Sequence, residues 1–271
     1  MSGIVLSAGV RSNLLNLQQT SDLITTTQTK LATGKRVNSA LDNPNNYFTA
    51  QGLDNRANDL SNLLDSMSTA INTIQAANNG ISAITKLVQS AQSLVSQANQ
   101  TSDTTVRASL ASQFDSIRTQ IDKLAGDSGF NGINLLNGDN LTVTLNESAT
   151  SSVTVTGVTD TTASSLAINA SVNNWASSSN ISAAGTQLTS ALTTLRSQSQ
   201  SLSSSLSTVQ IRQDFTKSMI NTLQTGSSDL TLADTNEEGA NLLSLQTRQQ
   251  LSSTALSLAS QADQNVLRLF G

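Results

Sequence analysis

The chain has neither cysteine nor histidine, a single proline, and Phe, Tyr or Trp at only 3% of its 271 positions. Without thiolate or imidazole there is no cysteine nucleophile, no histidine base and no thiolate or imidazole metal ligand, so catalysis would rest on carboxylates, Lys, Tyr or Ser. The lack of cysteine also suits a protein that leaves the cell without risking stray disulfides. Charge is scarce as well, with 12% charged residues and a formal net charge of −4. So weak a field argues against nucleic acid and anionic membrane surfaces as partners, and no run is long and apolar enough to insert into a bilayer. The opening MSGIVLSAGVRSNLL has neither a basic stretch nor an unbroken apolar run, so no cleavable signal peptide is expected. No motif implies a cofactor.

With so few rings, a broad globular core is not the expectation; long helices with narrow seams are. Leu53, Ala57, Leu60, Leu64, Met67, Ile71 and Ile74 recur at steps of three and four, and Ala77, Ile81, Ile84, Val88, Ala91, Val95 and Ala98 continue them. This reads as one helix roughly 70 Å long, with local overwinding where two steps of three adjoin at Ile74. Val106, Leu110, Phe114, Ile117, Ile121 and Leu124 predict a third helix that ends at Ala125-Gly126. Leu188, Leu192, Leu195, Leu202, Leu206 and Val209 predict another long one, interrupted at Gly226-Ser227-Ser228.

Between them, Leu141–Leu145 and Val153–Thr156 alternate with period two and predict a small hairpin. Residues 157–180 read as a surface loop with Trp175 as its one large anchor. At the front, Val10, Leu14, Leu17, Ile24 and Leu31 form a seam with Ser21 and Gln28 in the gaps, closed by Gly34. A connector from Lys35 to about Asn46 follows, with Asn43 biased away from helix by Pro44. At the back, Leu251, Ala255, Leu258, Ala262, Val266 and Leu269 lie on one stripe, after a Thr235…Glu238 capping box.

These terminal seams are half polar. Two apolar anchors per heptad, at about 1.5–3 kcal/mol each, do not clearly outweigh ordering costs of about 1–2 kcal/mol per residue. The first ~40 and last ~40 residues are therefore expected to order only against each other and against neighbouring copies. Gly34-Lys35-Arg36 lacks the second glycine of a phosphate loop. Glu237 and Glu238 are adjacent on a helix and do not converge, which favours capping and ion pairing over acid–base work.

Asn13-Leu14-Leu15-Asn16-Leu17 and Leu31-Ala32-Thr33-Gly34-Lys35-Arg36-Val37-Asn38-Ser39-Ala40 resemble the N-terminal signature of bacterial flagellins. The segment from Asn241-Leu242-Leu243 to Leu245-Gln246-Thr247-Arg248-Gln249-Gln250-Leu251, with the ending Gln264–Phe270, resembles the C-terminal one, and Phe130-Asn131-Gly132 a turn of the outer core. The resemblance implies a filament subunit whose terminal helices line an inner tube beneath a layer of longer helices. It also implies an extracellular location, export unfolded through the flagellar secretion apparatus, an export chaperone, a filament cap, hook-associated proteins and other flagellins as partners. Asn43-Pro44-Asn45-Asn46-Tyr47 leans instead toward the related hook-filament junction proteins, the nearest alternative. A carboxylate-dependent hydrolase is the distant one.

The resulting expectation is a mainly α, long antiparallel coiled-coil-like bundle with paired terminal helices and a small β-hairpin. Residues 1–42 and 228–271 would form the inner core, 43–136 and 181–227 the outer rod, and 137–180 a short variable insertion. Val10, Leu14, Leu17, Ile24 and Leu31 would pair with Leu251, Leu258, Ala262, Val266, Leu269 and Phe270 for self-assembly. Leu60, Leu64, Met67, Ile71, Ile74, Ile81, Ile84, Val88, Leu110, Ile117, Leu192, Leu195, Leu202 and Leu206 would pack the rod. Gln89, Ser90, Gln92 and Leu94 align with the family stretch that animal Toll-like receptors grip through arginines, here replaced by Ser90 and Gln92.

Overall fold

The computed structural model describes residues 8–270, apart from the side chains of Asp263 and residues 266–270. The expected stripe members Val266, Leu269 and Phe270 thus lie outside the described side chains. In order, the elements are α1 (Ala8–Thr33), α2 (Pro44–Gln100), α3 (Thr104–Asp127), β1 (Leu141–Thr144), β2 (Ser152–Val155), a short turn at Asn173–Trp175, α4 (Ser178–Thr231) and α5 (Thr235–Phe270). The chain divides into two compact units, one formed by residues up to Asn55 together with those from Thr222, the other by Arg56–Asn221. The insertion 137–180 belongs to the second unit.

Local chemistry sets the helix ends, and three differ from the sequence expectation. Gly34 at φ 67° closes α1, as its freedom from a Cβ predicts. The connector ends earlier than Asn46, because Pro44 supplies the fixed φ of a first helical residue and Asn43 Oδ1 accepts from the Asn46 amide at 3.1 Å. α4 does not break at Gly226 but runs on to Thr231; a Cβ at Gly226 would sit 3.4 Å from Leu53 Cδ1, an ordinary van der Waals contact. α5 is capped by Asp234, not Thr235: Asp234 Oδ1 accepts from the amides of Asn236 and Glu237 at 2.9 and 3.3 Å. In the connector, the amides of Asn38 and Ser39 both donate to Asp42 at 2.9 Å and hold its carboxyl below the usual range.

In the second unit, Leu60, Met67, Ile74, Ile81, Val88 and Val95 form one buried heptad row of α2. Ala70, Ala77, Ile84, Ala91 and Ala98 form the other. The expected overwinding is absent because Ala70, not Ile71, takes the seam; Leu64 and Ile71 are half-buried beside it. Pattern reading favours the larger side chain, but here the smaller one is buried. α4 runs antiparallel to α2: Gly185 lies against Val95, Ser199 bonds Asn78 at 3.4 Å and Gln213 bonds Ser68 at 2.9 Å. Leu188, Leu192, Leu195 and Leu202 are buried on α4 and Leu110 on α3, while Ile117 and Leu206 are half-buried.

The segment 157–180 is not the surface loop expected. Asp160, Thr162, Leu166, Ile168 and Trp175 are all buried. Trp175 lies 5.0 Å from Phe114 between ring centres, and this burial holds Asn173, Asn174 and Trp175 at φ 48°, 48° and 56°. Charged residues of α3 tie the segment down. Arg118 donates to Ile168 O at 2.8 Å and Thr162 Oγ1 at 3.2 Å, Asp122 accepts the Thr162 amide at 2.6 Å, and Asp115 accepts the Ser171 amide at 2.9 Å.

Side chains also satisfy the last carbonyls of α2 and α3. Arg107 donates to Ala98 O and Thr101 O at 3.2 and 2.7 Å, and Asn134 to Ala125 O and Gly126 O at 2.8 Å each. Phe130 and Ile133 exchange both backbone bonds across Asn131 (φ 49°) and Gly132 (φ 80°), a two-residue turn with both φ positive. The hairpin pairs Leu141 with Val155 and Val143 with Val153, burying Leu141, Val143 and Val155 and leaving Thr142 and Thr154 outside.

Candidate assembly interface

In the first unit α1 packs against α5. The shielded stripe of α1 is Val10, Asn13, Leu17, Thr20, Ile24, Thr27 and Leu31, a heptad pattern with Thr20 and Thr27 buried. Leu14 stands outside it at 39% exposure. On α5 the shielded stripe is Glu238, Leu242, Leu245, Gln249, Ser252, Leu256 and Ala259. Within the subunit α1 thus meets this stripe and not Leu251, Leu258 and Ala262: Leu251 and Leu258 are 67% and 62% exposed, and Ala262 faces out with them.

A clasp fixes the rotation of α5 that decides this. Arg36 N and Val37 N donate to Thr231 O at 2.7 and 3.2 Å, and Ala233 N donates to Gly34 O at 3.0 Å. Beyond the clasp, Lys30 Nζ meets Glu238 Oε1 at 2.9 Å, with Glu238 largely shielded. The Gly34–Val37 stretch is thus a short backbone-paired strap, and Glu238 an anchor rather than half of a capping box.

Two apolar faces remain uncovered in the subunit. α1 shows Leu14, Leu15 and Leu23, and α5 shows Leu243, Leu251 and Leu258, each of these six at least 39% exposed. Exposed leucines at helical spacing on both members of one helix pair are the pattern of a surface made to be buried by another chain. The cleft between α1 and α5 near the clasp, about 690 Å³, is lined by Lys30, Arg36, Arg248, Asp229, Asp234, Glu237 and Glu238, charges of both signs. Among the described residues no cluster of three or more Asp or Glu could hold a metal ion.

On α2, Gln89 and Ser90 are exposed, Gln92 is half-buried, and Leu94 packs against the core. Sequence reasoning missed Leu242, Leu245 and Leu256 on the inner stripe. Their signal was present in the sequence but was interrupted by Gln249 and Ser252.

Residues 9–141 match the family model of the bacterial flagellin N-terminal helical region, and residues 179–270 that of the C-terminal helical region. Flagellin FljM of Caulobacter vibrioides is 32% identical over all of this chain and 99% of its own length, and flagellin FljN of the same organism 33% identical with the same coverage. A flagellin of Brucella melitensis is 28% identical, again over all of this chain and 99% of its own. The crystal structure of Bacillus cereus flagellin aligns with 57% of this chain and 88% of its own at TM-score 0.47 and 20% identity. The chain belongs to the bacterial flagellin family, the structural subunits that polymerise into the flagellar filament, the propeller of swimming motility.

Proposed function

We propose that this subunit polymerises through the uncovered leucine faces of α1 and α5, which become the lining of an inner tube. The observation that carries this reading is the exposure of Leu243, Leu251 and Leu258 on one helix that already has a partner on its other side. Contacts of this kind between unlike faces do not close on themselves and give an open helical polymer. Residues 1–42 and 228–271 would form the inner core, 43–136 and 181–227 the outer rod, and 137–180 the outward insertion. The chain does mechanical rather than catalytic work, transmitting torque along the polymer. Export through the flagellar secretion apparatus, a chaperone during export, a distal cap and hook-associated proteins at the base complete the set of partners. Electron microscopy of purified, reassembled protein is expected to show long filaments; short rings or caps under the same conditions would favour a junction protein instead.

The polar surface of α2 at Gln89, Ser90 and Gln92 has no arginine to pair with acidic groups of an animal receptor. Purified monomer is expected to give a weak or absent response in a reporter cell that carries the Toll-like flagellin receptor. A strong response would overturn this part of the reading.

A further inference from the structure

Asp160 is fully buried between the insertion and α4. Its Oδ1 accepts from Gln198 Nε2 at 2.8 Å and from Ser165 Oγ at 2.5 Å. Two atoms of this cluster, Asp160 Oδ2 and Gln198 Oε1, are buried without a hydrogen-bond partner. Both are acceptors when the carboxyl is ionised, so the pair would present two desolvated oxygens with nothing to donate to them, an expensive arrangement. In a cyclic acid–amide pair these are the two atoms left over when the amide N–H bonds one carboxyl oxygen, and a single hydrogen shared between them would satisfy both.

We infer that Asp160 and Gln198 form a buried proton-binding site in which the carboxyl is neutral in the folded subunit at neutral pH. The proton sits on Asp160 Oδ2 and is donated to Gln198 Oε1, while Gln198 Nε2 donates to Asp160 Oδ1, giving a closed acid–amide ring. Burial, which opposes the ionised form, raises the Asp160 carboxyl above its ordinary value of 3.8 despite the bonds from Ser165 and Gln198. No ion pair to Asp160 exists among the described residues. The charged groups nearest in the fold are engaged elsewhere or turned out: Asp139 accepts the Asn134 amide, Arg118 and Asp122 hold Thr162, and Arg196 of α4 is exposed.

The site acts as a latch between the insertion and α4, and folding of the exported chain takes up a proton from the medium. The folded carboxyl titrates above the unfolded one, so its contribution is complete below the ordinary value and is lost as pH rises through the raised value. The test uses full-length, dissociated subunit. Infrared spectra at neutral pH should contain the band of a protonated carboxyl, missing from Asp160→Asn. Asn can close the same ring with its own N–H, so this variant should be at least as stable as the parent at neutral pH. Across the titration window the parent's unfolding constant should rise by up to roughly tenfold per pH unit relative to the variant. Should Asp160→Asn not fold, Gln198→Leu serves, with the parent's carboxyl band expected to shift. Absence of the protonated band in the parent at neutral pH would overturn the inference, as would Asp160→Asn being less stable than the parent with no difference in pH slope.

Discussion

Leu258→Asp is expected to leave the subunit folded and abolish its polymerisation. Leu258 is 62% exposed on the outer stripe of α5, away from the residues that meet α1. Substitution at such a site normally changes subunit stability by no more than about 0.5 kcal/mol. In the polymer the same position would be buried. Loss of a buried leucine removes about 1.5–3 kcal/mol per subunit, and an unpaired carboxylate in its place adds a desolvation cost. The critical concentration should rise by about ten- to a hundredfold from the leucine alone, and beyond practical concentrations with the charge included. Sedimentation of reassembled protein measures this, with circular dichroism of the monomer as the control. Normal filaments from the variant would refute the role given to this stripe.

Gly80→Ala is expected to destabilise the second unit, against the usual sign for a glycine within a helix. Alanine at an ordinary helical position gains about 1 kcal/mol over glycine. Here a Cβ would lie 2.2 Å from Ser128 Oγ and 2.7 Å from both Ser128 Cβ and Leu136 Cδ1. Neither neighbour yields easily. Ser128 Oγ donates to Leu124 O at 2.6 Å near the end of α3, and Leu136 is fully buried. Overpacking of this kind costs about 1–3 kcal/mol; set against the propensity gain, the net loss is up to about 2 kcal/mol, enough to lower the melting temperature by several degrees. Gly52, helical with open space where its Cβ would be, is the matched control and should gain stability on the same substitution. Ser128→Gly in the Gly80→Ala background should restore part of the loss, a coupling that a double-mutant cycle reads directly.

The contrast between α2 and α5 explains how far sequence reasoning reaches. On α2 the apolar residues form one dominant seam, so the helix, its length and its buried face follow from spacing, and only the choice between Ala70 and Ile71 misleads. On α5 two stripes compete. The one with unbroken apolar side chains, through Leu251 and Leu258, reads as the internal seam, yet the one broken by Gln249 and Ser252 meets α1. Which stripe turns inward depends on helix rotation, fixed by the strap to Thr231 and the Lys30–Glu238 pair, contacts made across about two hundred residues of chain. Asp160 and Gln198 were illegible for a related reason: neither residue signals burial, and they meet only once the insertion has folded onto α4. The hairpin and the Gly34 helix stop were legible because each depends on residues close in sequence.

The alanine row of α2 bears on how this chain can change over generations. Ala70, Ala77, Ala91 and Ala98 are buried at 2% exposure or less. A larger residue at any of them would overpack the core, whereas Val88 or Val95 can be exchanged for a residue of similar volume with local repacking. Mutational drift is thus confined to one row of the seam, while the hairpin tip at 146–151, largely in solvent, is open to substitution and growth. The lineage can redecorate the hairpin tip freely, but its helix spacing is inherited almost as a fixed dimension.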